Sequence, residues 1–282
     1  MSIERAIDTH VHLINPDRLE YPWMDEAPSL RKTFAIDEFQ DATNGLPISE
    51  MVFMEVSAAI HLNFEEIEWI ESLYTAEPRL KGIIARAAFH GDDREAQLDR
   101  MGARKSVVAI RDIIQWEQRG SSNAAAYIAG VNRCAKNNLA VDLCIFNEQF
   151  DDIIGLARAC PNARLILDHL GKPSIKDGIR SPWAEQMKTL SECENVFCKI
   201  SGLMTEAALK AWSPSDFDFY LNHALESFGI DRLVYGGDWP VCTLSGSYKE
   251  WFDICDKFSS SWSDDERDKF YFRNARKFYF QT

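Results

Sequence analysis

The sequence predicts an α/β protein, a single-domain (β/α)8 TIM barrel covering residues 1–282. Three observations carry this prediction. Short apolar runs rich in β-branched residues recur along the whole chain, and eight of them can be counted. The gaps between them are long enough for a helix each, and several show helical periodicity. The length, 282 residues with 46% hydrophobic content, suits the roughly 250 residues such a barrel needs to fill its core. A doubly wound open sheet gives a similar local alternation, but eight repeats favour the barrel.

The first strand starts at Arg5–Asp8 and leads into "AIDTHVHLINP", where alternate side chains of an extended chain put His10 and His12 on one side. The long stretch 13–49 is expected to form a loop over the barrel mouth, with Pro22, Trp23 and Pro28 in it. The second strand, Met51–Val56, precedes "NFEEIEWIESLYTAEP", which repeats apolar residues at helical spacing and stops near Pro78. Leu80–Ala87 and Ser106–Asp112 follow as strands three and four. "NAAAYIAGVNRCAKNNL" is the helix before strand five, Ala140–Cys144. Ala163–Asp168 and Asn195–Ile200 supply strands six and seven. "SDFDFYLNHALESFG" is a helix closing on Gly229 as its C-cap, with His223 structural within it, and Arg232–Tyr235 is the eighth strand.

Composition narrows the partners. A formal charge of −13 and a pI near 5.0 argue against nucleic acid or an anionic membrane as a general partner, while leaving small molecules open. No apolar run approaches the roughly 20 residues of a membrane span, and "MSIERAIDTH" has no signal-peptide character. The seven cysteines are scattered and never form a CxxC, which fits reduced thiols of a cytoplasmic protein. A homo-oligomer is compatible with all of this.

A barrel places its chemistry at the C-terminal ends of the strands. Strand one ends in Asp8, His10 and His12, strand two in Glu55, strand three near Arg86 and His90, and strand four in Arg111 and Asp112. Asp168 and His169 end strand six, Lys199 and Ser201 strand seven, and Asp238 follows strand eight in "YGGDWPV". Each has a structural reading: Asp238 as a helix N-cap ahead of Pro240, Glu55 as the ion-pair partner of Arg111, His169 as a hydrogen-bonded turn residue. Convergence of His10, His12, His169 and Asp238 on one rim favours a site. Imidazoles and a carboxylate suit either a metal with an open position or metal-free acid–base work.

The motifs "IDTHVHL", "LDHLGKP", "CKISGLMTEA", "DRLVYGGDWPV" and "RNARKFY", in that order, resemble the amidohydrolase superfamily, and more narrowly its lactonase branch of fuconolactonases, rhamnonolactonases and 2-pyrone-4,6-dicarboxylate lactonases. "YPWM" is a softer likeness to the sugar-lactonase members. The resemblance implies hydrolysis of a sugar-acid lactone in carbohydrate catabolism. By position, Asp238 matches the general base for the attacking water, and His10, His12 and His169 the groups that polarise the carbonyl. Arg111, Glu55, Trp239 and His90 are the expected substrate contacts. The fifth strand, "AVDLCIF", offers neither the bridging lysine nor the histidine that two metals need, so a binuclear centre is not expected. The expectation is catalysis with no required cofactor, or with one optional divalent metal, zinc, on His10, His12, Asp238 and His169. The alternatives are a mononuclear zinc decarboxylase or lyase of the same superfamily, and a lactone isomerase.

Overall fold

The computed structural model describes residues 3–282. Eight parallel strands form one sheet in sequential order: β1 (Ala6–Val11), β2 (Ile48–Met54), β3 (Leu80–Arg86), β4 (Val107–Arg111), β5 (Ala140–Leu143), β6 (Leu165–Leu167), β7 (Val196–Ile200) and β8 (Leu233–Tyr235). A doubly wound sheet would reverse its strand order midway; this one never does. The helices are α1 (Ile36–Ala42), α2 (Asn63–Leu73), α3 (Arg94–Gly102), α4 (Ala125–Lys136), α5 (Phe150–Ala159), α6 (Trp183–Ser191), α7 (Leu203–Glu206), α8 (Asp218–Phe228), α9 (Tyr248–Phe258) and α10 (Asp264–Asp268).

Alternation along each strand separates two cores. Met51, Phe53, Ile83, Leu165 and Cys198 pack outward among the helices. Ile7, Val52, Ile84, Ile166 and Val234 form a separate cluster with Phe278 and Tyr279 from the chain's last turns. Both faces of the strands are therefore buried, which is why they read as continuous apolar runs rather than alternating ones. Toward the other end the inward positions turn polar: Arg111, Asp142, Asp168 and Lys199 are all buried.

The seam between β1 and β8 is stitched largely by side chains. Thr9 Oγ1 donates to the Tyr235 carbonyl at 2.6 Å, and Asp8 accepts from the Gly237 amide at 2.7 Å and from the Tyr248 hydroxyl at 2.8 Å. Burial pushes the Asp8 carboxyl up to about 6. One backbone bond, His12 N–H to Trp239 O at 2.7 Å, completes the closure.

The structure moves some expected boundaries. β1 continues past Asp8 to Val11, because its pairing with β2 runs on to Phe53. β6 stops at Leu167, because His169 and Leu170 adopt left-handed φ values of 54° and 53° that end the extended chain. The segment 13–49 is structured: Ile14 bridges Phe34, α1 follows, and Trp23 Nε1 donates to the Val56 carbonyl at 2.7 Å. The Gly229 C-cap forms as read, at φ 67°, its amide reaching Leu225 O at 2.9 Å.

Candidate active site

His10 and His12 point into the same end of the barrel, as their spacing on β1 requires. The His12 Nδ1 sits 3.1 Å from Met54 O and 3.0 Å from Glu55 O. Carbonyls only accept, so Nδ1 carries a hydrogen, and Nε2 faces Asp238 Oδ1 at 3.5 Å. His10 is fully buried, with Nδ1 3.6 Å from Asp168 Oδ1 and Nε2 3.5 Å from Asp238 Oδ1. His169 lies tilted beside it, ring centroids 4.5 Å apart, and its Nδ1 lies 2.8 Å from Ser201 Oγ. Gly202 leaves room for that ring: a Cβ there would lie 2.3 Å from His169 Nδ1.

Asp238 has φ 54° and is buried. The helix-cap reading is not met, since the turn Val241–Leu244 has Pro240 at its cap position and no capping side chain. Five of the described non-glycine residues in the left-handed region, Ser57, His169, Leu170, Lys172 and Asp238, lie at or beside this one site. Such strain persists only where the surroundings enforce it.

Burial sets the charge states. It holds the His169 imidazole down at about 4 and His10 well below its ordinary value, so both are neutral near pH 7. Burial also opposes the Asp238 charge, but the imidazoles of His169, His12 and His10 outweigh it and hold the carboxyl well below the usual range. Asp238 is therefore an anion.

Beneath this rim lies a buried ion network. Lys199 Nζ pairs with Asp142, reaches Asp168 Oδ1 at 2.9 Å and approaches His10 Nδ1 at 3.4 Å. Burial works against the ammonium, and the two carboxylates outweigh it, raising its pKa. Arg111 spends most of its fork on Glu55, with Nε to Oε1 at 2.6 Å and Nη2 to the Glu55 carbonyl at 2.9 Å.

Over the rim opens a cleft of about 620 Å³ including its solvent-filled mouth. His12, His169, Asp238 and Arg111 contribute to its wall, whereas Glu55, Trp239 and His90 do not. Glu55 is fully buried behind Arg111. Trp239 packs edge-on against Phe34 and Phe39, at ring distances of 5.5 and 5.3 Å. His90 lies at the surface beside Tyr127, 5.4 Å from its ring. The wall instead includes Trp23, which the sequence places in the loop over the barrel mouth, and Gln115, Trp116, Lys172 and Glu206, which the sequence did not name as site residues. Lys172 had a usable signal, sitting four residues past the end of strand six; Gln115 and Trp116 lie in a loop with no pattern to mark them.

Among the described residues, two overlapping groups have the donors for a metal: His10, His12 and Asp238, and His10, Asp168 and His169. Their electrostatics differ. In the first, His12 Nε2 and Asp238 Oδ1 lie 3.5 Å apart with His10 Nε2 also 3.5 Å from that oxygen, donor atoms that one cation could share. In the second, Asp168 already holds the Lys199 ammonium at 2.9 Å and meets Arg111 at 3.5 Å. One divalent ion fits; a second would compete with two seated cations. Metal analysis of protein loaded with excess zinc and desalted is accordingly expected to find no more than one equivalent per chain, and two would overturn this account.

Known proteins align with the whole of this frame. The chain is 26% identical over 269 residues to an L-fucono-1,5-lactonase of Burkholderia multivorans, covering 90% of this chain and 88% of that one. It is 27% identical over 334 residues to an L-rhamnono-gamma-lactonase of Scheffersomyces stipitis, covering 99% of both. A crystal structure of an amidohydrolase from Burkholderia multivorans with bound zinc superposes with a TM-score of 0.87 at 25% identity, over 98% of this chain and 99% of that one. The family model described as amidohydrolase matches residues 7–281, so the chain belongs to the amidohydrolase family.

Proposed function

We propose that the protein is a lactone hydrolase acting on a sugar-acid lactone, with Asp238 as the base that activates water. The observation that carries this reading is a buried carboxylate, held ionised beside His10, His12 and His169, in the wall of a cavity that can take a small ring. The relatives named as lactonases support the same reaction class.

Water bound at the rim gives its proton to Asp238 as its oxygen attacks the ring carbonyl. With the Ser201 hydroxyl donating to Nδ1, His169 presents an Nε2–H to the oxyanion that develops. The ring C–O bond then breaks, and the leaving alkoxide takes the proton back from Asp238. The product is a hydroxy acid, which ionises and releases one proton to solution. A lactone is an activated ester, so a positioned base and donor achieve what an amide would need stronger polarisation for. His10, His12 and Asp238 would hold a divalent metal, which supplies Lewis-acid polarisation of the carbonyl when bound.

Purified protein should acidify a weakly buffered solution of one or more aldonolactones in a panel of 1,4- and 1,5-lactones and dicarboxylate lactones. Folded protein that releases acid from none of them would sink the proposal. Carbon dioxide release from a carboxylated substrate, or a rearranged lactone in place of a free acid, would point to the lyase or isomerase alternatives.

A further inference from the structure

The cavity wall away from Asp238 holds two charged groups that the proposed chemistry leaves unused. Lys172, on the turn after β6, has a left-handed φ of 53°, an unfavourable backbone for a lysine. Its Nζ donates to Gln115 Oε1 at 2.5 Å, its one hydrogen bond among the described residues, and lies 5.3 Å from the Phe146 ring. An ammonium has three donors, so two remain. Glu206, the last residue of α7, is half-buried, and its carboxylate has no hydrogen-bond partner among the described residues. Both line the same cavity as Asp238, with Trp23 and Trp116 as its apolar walls.

Charge balance then selects the ligand. The cations in the wall are Lys172 and Arg111, and Arg111 is already neutralised by Glu55. The carboxylates are Asp238 and Glu206. No surplus of positive charge awaits an acidic substrate, and a second carboxylate would meet two like charges. A hydroxyl group suits this wall, because it donates to a carboxylate and accepts from an ammonium at once.

We propose that Lys172 and Glu206 determine substrate specificity by reading the ring hydroxyls of an uncharged, polyhydroxylated lactone, with Gln115 holding the Lys172 ammonium in place. The inference rests on the lactone-hydrolase reading and narrows its substrate class. A site that hydrogen-bonds substrate hydroxyls discriminates strongly against the analogue lacking them, because its own polar groups are then left unpaired.

The test compares kcat/KM on an aldono-1,5-lactone with that on δ-valerolactone, which has the same ring and ester but no hydroxyls, and on a dicarboxylate lactone. Wild-type protein is expected to prefer the aldonolactone over δ-valerolactone by about 10³-fold or more. Lys172→Asn, chosen because asparagine tolerates the left-handed backbone, and the isosteric Glu206→Gln should each cut that preference at least tenfold. Circular dichroism and thermal unfolding verify that both variants fold. A preference that both variants retain overturns the inference, as does a wild-type enzyme faster on the dicarboxylate lactone, and either result leaves the lactonase reading standing. A wild-type protein that opens no lactone removes that reading and this inference with it.

Discussion

Replacing Asp238 by asparagine is expected to lower kcat on the best lactone by about 10³-fold, the scale of losing a positioned general base. The substitution changes one atom and removes the proton acceptor. Stability should barely move, for two reasons. Asparagine accepts the left-handed φ of 54° as readily as aspartate does. In the wild-type site Asp238 Oδ1 faces His12 Nε2 at 3.5 Å. An asparagine amide has the same size and can still hydrogen-bond the imidazole, as donor or acceptor. The measurement is steady-state kinetics alongside thermal unfolding. A kcat within tenfold of wild type would remove the base from the mechanism. A midpoint lowered by much more than about 5 °C would mean that the carboxylate chiefly holds the rim together.

The second large effect concerns folding. Lys199→Met is expected to destabilise the protein by about 3–5 kcal/mol, because it strands two buried carboxylates without their common cation. Lys199, Asp142 and Asp168 are all fully buried, and Lys199 Nζ touches both acids and neighbours His10. Methionine fills much the same volume, so the loss reads charge rather than packing. The double variant Lys199→Met/Asp142→Asn removes one orphaned charge and should regain part of the loss. Urea unfolding of both proteins gives the comparison. A loss below about 1 kcal/mol for the single variant, or no recovery in the double, would contradict the network described here.

The barrel was legible because strands covered on both faces leave unbroken apolar runs, and helices between them leave a different period. Strand ends were less legible. No local pattern reveals that β6 stops at Leu167, because the left-handed turn at His169 and Leu170 is imposed by what packs around it. His10, His12, His169 and Asp238 could be picked out as polar residues where apolar strands end, and the structure brings all four together. The cavity's outer wall was harder to read. Trp239 adjoins Asp238 in sequence, yet it turns to Phe34 and Phe39 rather than into the cavity. Trp116 and Gln115 lie on a loop whose path is set by its neighbours. The Arg111–Glu55 pair was foreseeable as opposite charges on facing strand ends, and in the fold it occupies most of the guanidinium fork.

The stitched seam between the first and last strands bears on how the enzyme comes into being. Asp8 meets Gly237 across 229 positions of chain, and Thr9 meets Tyr235 across 226. Contacts so distant in sequence are slow to form, because the entropy of closing the intervening loop is spent before they return anything. Asp238 and the β1 imidazoles face each other only once that ring shuts. On the ribosome, a chain that has made seven strands already owns most of its core but not the proposed hydrolytic centre, which is assembled with the closing event rather than growing along with the fold.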